Sequence, residues 1–197
     1  MTSPAGIALG RAMYSHGHIF LLGATEETCV SVPIEAPEDF LREHSRSGDV
    51  LVIVENDSIS LASRDRILKR CPAWGVSAIW LGNDNRPEEG SAICVQGANL
   101  SELILLGQQL TSTPELLAPA IVDCTDEVCV TCSDEGRIGE VISCPEALFM
   151  PATVRTSAGI EEVDVTIIGA VKAHDLILIH AGGAIALLSD SGIEVNS

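Results

Sequence analysis

Two continuous apolar runs, residues 18–23 (HIFLLG) and 49–54 (DVLVIV), constrain the fold more than any other feature of the chain. Neither run alternates polar with apolar residues, so each suits a strand buried on both faces, as in a parallel sheet. Between them, residues 36–46 place Phe40, Leu41 and His44 on one helical face. A second helical stretch, residues 58–69, carries Ile59, Leu61, Ile67 and Leu68. Residues 76–81 (VSAIWL) predict a third strand, residues 92–95 (AICV) a fourth, and residues 100–110 a closing helix. Strands that alternate with helices predict an α/β domain around a parallel sheet.

The texture changes after residues 111–123, which hold two prolines and no clear period. Arg137–Ser143, Ala152–Thr156, residues 162–168 and Leu176–His180 are short β-rich runs separated by Gly, Pro, Ser and Asp. Val154, Val163, Val165 and Ile167 alternate with polar neighbours, the period of a half-buried strand. Short strands at near-regular spacing predict a small barrel. The expected organisation is therefore an α/β domain over residues 1–118, a linker over 119–127, and a β-barrel domain over 128–197.

Composition narrows the function. Aromatic residues are 3% of the 197, which leaves no platform for stacking bases or sugars. The net charge is −17, and residues 121–197 hold 13 acids against three bases (Arg137, Arg155, Lys172), a balance of −10. Such a surface repels phosphate backbones and anionic lipid, so neither nucleic acid nor membrane is an expected partner. Residues 1–17 lack a signal-peptide pattern, and seven cysteines without one predict reduced thiols in the cytoplasm.

One constellation downstream carries chemistry. Val128-Cys129-Val130-Thr131-Cys132-Ser133-Asp134 leads into Gly136-Arg137-Ile138-Gly139-Glu140-Val141. Val171-Lys172-Ala173-His174-Asp175 then precedes Leu176-Ile177-Leu178-Ile179-His180-Ala181-Gly182-Gly183-Ala184-Ile185. Over residues 128–190 this resembles the HypC/HupF/HybG family of hydrogenase-formation chaperones, with Cys129 at the leading cysteine and His180 at the characteristic histidine. The resemblance implies a small OB-like β-barrel with a short helix. It also implies a non-enzymatic role in metallocentre assembly. Iron carrying cyanide and carbon monoxide, Fe(CN)2CO, would be held transiently, taken from a HypD-type scaffold protein and delivered to the hydrogenase large-subunit precursor. Cys129 and His180 would be the iron ligands, and Cys129, Cys132 and Asp134 would face partners. A thiolate suits low-spin iron because it is a soft, strong ligand. No tightly bound organic cofactor is expected. In this chain Cys129 is internal, whereas the family's cysteine follows the initiator methionine.

Two alternatives stay open. Cys124, Cys129, Cys132 and Cys144 read C-x4-C-x2-C-x11-C, a spacing that begins like a plant-type [2Fe–2S] ligand set and could also hold zinc. The other lies in residues 5–118, where Gly17-His18-Ile19-Phe20-Leu21-Leu22-Gly23, Ser47-Gly48-Asp49-Val50-Leu51-Val52-Ile53-Val54 and the helix SELILLGQQL resemble a sugar isomerase (SIS), Rossmann-like domain of the phosphoheptose isomerase kind. That resemblance implies phosphate binding by hydroxyls after the second strand, with Thr25, Ser58 and Ser60 as vestiges. The alternative function is a sugar-phosphate binder or isomerase with an accessory barrel. Glu55 and Asp57 in that loop would repel a phosphate. The expectation is a degenerate, non-catalytic domain used for homodimerisation or docking. Glu102 is an acid/base candidate by position only, and the His16/His18 pair lacks a third ligand in sequence.

Overall fold

A computed structural model describes residues 3–117, 136–144, 150–189 and 192–194. The chain divides into two compact units, Met1–Cys71 with Gly75–Ile121, and Pro72–Trp74 with Val122–Ser197.

The first unit is built on a five-stranded parallel sheet in the order β2-β1-β3-β4-β5. Its strands are β1 (Ile19–Leu22), β2 (Val30–Ser31), β3 (Val50–Val54), β4 (Ser77–Leu81) and β5 (Ile93–Val95). The two runs that read as doubly buried are so: all four residues of β1 and the first four of β3 are buried. Strand β3 pairs with β1 on one side and β4 on the other, with Val52 opposite both Leu21 and Ile79. Helices α1 (Pro4–Tyr14) and α4 (Leu100–Leu110) cover one face, where Ala5, Leu9, Ala12 and Leu103 join Leu21, Val52 and Ile79 in one core. Helices α2 (Pro37–His44) and α3 (Leu61–Trp74) serve the other face. There Phe40 meets Phe20 edge-on at 6.3 Å, and Arg64 lies over the Trp80 ring at 5.0 Å.

Sequence periodicity predicts neither α1 nor β2. Helix α1 is PAGIALGRAMY, in which the inward positions are mostly Ala and Gly. Their value lies in closeness: a Cβ at Gly107 of α4 would stand 2.8 Å from Leu9 Cβ. Small residues thus let α1 and α4 pack tightly, a signal that hydrophobic periodicity does not carry. Strand β2 has two residues, too few for any period.

The second unit is an antiparallel sheet in the order β11-β10-β9-β6-β7-β8. It comprises β6 (Arg137–Ser143), β7 (Ala152–Thr156), β8 (Gly159–Val163), β9 (Leu176–His180), β10 (Gly183–Ser189) and β11 (Gly192–Glu194). Val141, Val154, Val163, Ile177, Ile179 and Ala184 form its core with Val165, Ile168 and Val171 from the chain after β8.

Three expectations change here. The described strands leave β8 and β11 as edges and do not close into a barrel. One isolated bridge, Asp164 to Gly183, does link the chain leaving β8 to the start of β10. The short helix expected after His180 is instead strand β10, and among the described residues this unit has no α-helix. Finally, the strand expected over residues 162–168 ends at Val163. The N–H groups of Ile168 and Gly169 turn back to the Val165 carbonyl, which buries Ile168 and leaves Ile167 75% exposed. The alternation of valines continues into a tight turn, where period two no longer applies.

Candidate functional site

Ligands of open parallel sheets bind outside the carboxyl ends of the strands, near the point where the strand order reverses. Here β1 leads outward to β2 and the chain then crosses back to β3, so the reversal falls between β1 and β3. Two adjoining cavities open at this end. One, of about 520 Å3, is lined by Leu22, residues 34–39 and Ser58–Ser60 with Ser63 and Arg66. The larger, of about 810 Å3, is lined by residues 55–61 with Arg64, Trp80, Asp84 and Asn85.

Local chemistry shapes this rim. Beyond β3, Asn56 accepts from the Ser58 N–H at 2.8 Å and donates through Nδ2 to the Gly23 carbonyl at 3.1 Å, tying the exits of β1 and β3 together. Gly23 has φ +91°, and a Cβ there would stand 2.5 Å from the Val54 carbonyl oxygen, so only glycine fits. Ser60 accepts from the Ser63 N–H at 3.1 Å and so caps α3. Arg64, on the first turns of α3, is buried. It donates to Asp65 at 2.6 Å through Nη2 and to the Asn85 carbonyl through Nη1.

Glu55, which the sequence presents as a loose negative charge, is a strut. Its Oε2 accepts from the backbone N–H groups of Asn83 at 2.9 Å and Asp84 at 3.1 Å, and its Oε1 from the Asn85 amide. The Asp84 N–H above all, then Asn83, Asn85 and the positive Arg64, hold the carboxyl below its ordinary value near 4.5, against some desolvation. A depressed folded-state pKa adds stability above the unfolded value, and that contribution is lost as pH falls through the folded one. The 83–85 loop is therefore expected to loosen only below the ordinary glutamate range. An NMR carboxyl titration of Glu55 followed with the Asp84 amide checks this; a Glu55 midpoint at or above 4.5 would refute the strut.

Of the residues named for phosphate, Ser58 and Ser60 line both cavities, whereas Thr25 is exposed in the β1–β2 loop and lines neither. Glu102 sits in the first turn of α4 and lines neither. His18 and His16 line a third hollow of about 610 Å3, where His18 Nδ1 lies 3.8 Å from the buried Asp49.

In the second unit, His180 ends β9 with its side chain exposed. It pairs with Gly183 across a two-residue turn, Ala181 and Gly182, at φ +50° and +79°. Two positive φ values define the hairpin turn whose twist matches the strands it joins, and this accounts for the glycine at 182. Asp164 accepts from the Thr166 hydroxyl at 2.6 Å and its N–H at 2.8 Å. These bonds, the hydroxyl first, hold its carboxyl below the usual range. Cys129, Cys132, Asp134 and Cys124 lie outside the described residues. Cys144 is exposed, with Sγ 3.1 Å from the Val171 carbonyl. Among the described residues no group of three His, Cys, Asp or Glu side chains could hold a metal ion, and no helix is long and apolar enough to cross a membrane.

The described cysteines differ sharply in burial, from the buried Cys71 to the exposed Cys144. Burial pushes the Cys71 thiol up to about 12, and only the thiolate alkylates. At pH 8 Cys71 is expected to resist iodoacetamide in the folded protein while Cys144 reacts, as peptide mass spectrometry would show. Equal labelling of the two before unfolding would contradict the burial of Cys71.

No model of a known protein family matches the chain, and no curated protein is similar to it.

Proposed function

We propose that the chain is a hydrogenase-maturation chaperone that captures the Fe(CN)2CO unit, the large-subunit precursor, or both, through Cys129, with His180 assisting. It escorts its cargo without turnover.

The observation that carries this reading is the pairing of the two motif segments. Strand β6, which the Cys129 segment leads into, lies beside β9 with Arg137 opposite Ile179, the neighbour of His180. Gly136, the residue before β6, is beside Leu178 and Ile179. Cys129 is seven positions earlier, and seven residues span at most roughly 25 Å. Chain length therefore permits Cys129 and the exposed His180 to share one iron. A soft thiolate with an imidazole is a donor set that iron accepts. The Asp164–Gly183 bridge supports a sheet curled toward an OB-like barrel, the fold that the motif resemblance implies.

The test is anaerobic co-purification of the full chain with a HypD-type scaffold protein and with the large-subunit precursor, followed by infrared spectroscopy. Cyanide and carbonyl stretches travelling with the chain are the expected result. His180→Ala should weaken iron retention without abolishing partner capture. Absence of partner and of bands in the wild type would end the chaperone reading.

A further inference from the structure

The two helix layers of the first unit differ in a way that the sheet between them does not require. Helices α2 and α3, of 8 and 14 residues, carry nine Asp, Glu, Lys and Arg side chains. Helices α1 and α4, of 11 residues each, carry two, Arg11 and Glu102. Arg11 donates through Nε to the Leu117 carbonyl at 2.6 Å. A helix on the surface of a folded unit ordinarily turns charged residues away from the core.

Here the outer side carries large apolar groups instead. Ile7 and Tyr14 lie two turns apart on one stripe of α1, and Leu105 and Leu106 stand on α4. Tyr14 is 57% exposed and Leu105 53%, with Ile7 and Leu106 half-buried. Leu106 closes the seam between the helices, since a Cβ at Gly6 would stand 2.6 Å from its Cδ2. Beside Glu102, the other exposed residues of α4 are the neutral Ser101, Gln108 and Gln109. Loss of charge around an aromatic residue, rather than apolar area as such, is what marks the core of a protein interface.

Charge also selects the occupant. The chain carries −17, so a basic partner would be drawn to its acidic surfaces and would gain nothing from a face stripped of charge. A second copy carries the same −17. It is repelled wherever carboxylates meet and approaches closely only where charge is absent. We propose that the outer face of α1 and α4 is a homodimer interface, packed on itself about a two-fold axis with Tyr14 and Leu105 at its centre. Two helices, each about 16 Å long and about 9 Å apart, offer less than the roughly 800 Å2 per partner of a standard interface. The dimer is therefore weak and reversible. It is independent of the proposed iron handling.

Sedimentation velocity of the full chain, from micromolar to submillimolar concentration, tests this. The expected result is a monomer–dimer equilibrium. It should strengthen between about 0.01 M and about 0.1 M salt, as the Debye length falls from about 30 Å to about 10 Å and repulsion is screened. Leu105→Glu puts two carboxylates into each dimer and should weaken association at least about tenfold. Tyr14→Glu, on the other helix, should do the same, and both sites are exposed, so thermal unfolding should stay near wild type. Leu61→Glu, at the similarly exposed start of α3, should leave the dimer unchanged. A wild type that stays monomeric throughout overturns the proposal. So does a dimer that survives both glutamate variants, one that Leu61→Glu breaks equally, or one that salt weakens, as it would an interface of ion pairs.

Discussion

Cys129→Ala protein, purified anaerobically beside the wild type, is expected to lose the cyanide and carbonyl infrared bands entirely and to fail to retain the scaffold protein. The size of this effect follows from the chemistry. Under the proposed function, iron held by Cys129 and His180 loses its stronger, charged donor, and alanine offers nothing in its place. Cys129→Ser separates ligand from shape: a serine hydroxyl keeps the volume but stays protonated at neutral pH and is a hard donor. It should therefore behave like alanine in the infrared. Bands of undiminished intensity in both variants would show that Cys129 does not hold the iron. The four-cysteine alternative is read in the same samples, because an iron–sulfur cluster gives visible charge-transfer absorption and no cyanide stretch.

The second large effect is on folding. Ile177 of β9 is fully buried, at the centre of the core shared by Val141, Val154 and Val163. Ile177→Ala is expected to cost about 2–5 kcal/mol, the sum of lost transfer energy and the cavity left behind. A loss of that size is a large share of the 5–15 kcal/mol typical of a folded domain. Urea unfolding should show it as a lower midpoint, and hydrogen exchange at the Ile179 and Ala184 amides should speed up. A change below about 0.5 kcal/mol, the level of an ordinary surface substitution, would mean that β9 is not the core of this sheet. Gly139 points the same way from the opposite direction. A Cβ there would lie 2.4 Å from Val154 Cγ1 and 2.7 Å from Ile179 Cδ1, so the core has no room at that position.

Much of the first unit was legible because burial on both faces leaves a simple mark. The continuous runs in β1 and β3 and the VSAIWL stretch of β4 need no partner to be recognised as interior strands. In the second unit the strands Arg137–Ser143, Ala152–Thr156 and Leu176–His180 were equally plain. Helix α1 was not, because its contribution is the small size of Gly and Ala against α4, which matters only once α4 is in place. The short helix was expected at β10 because the family resemblance implies one; GAIALLS has no clean period of two to correct it, since a shift in register between Ala184 and Ala186 breaks the alternation.

The sequence by itself determined the chemistry on offer: the acidic balance, the cysteine and histidine of the chaperone-like motif, and the hydroxyls and carboxylates after β3. Only the tertiary structure decided what those groups face. Glu55 is one of the carboxylates that argued against a ligand, yet it braces the loop after β4 with two backbone N–H groups. Trp80, an unremarked strand residue in sequence, becomes a buried donor that meets no acceptor among the described residues, under Arg64. His180 reaches solvent because the Ala181-Gly182 turn ends its strand there. In each case the deciding contact joins residues far apart in the chain or depends on backbone dihedrals, and neither is written in local composition or spacing.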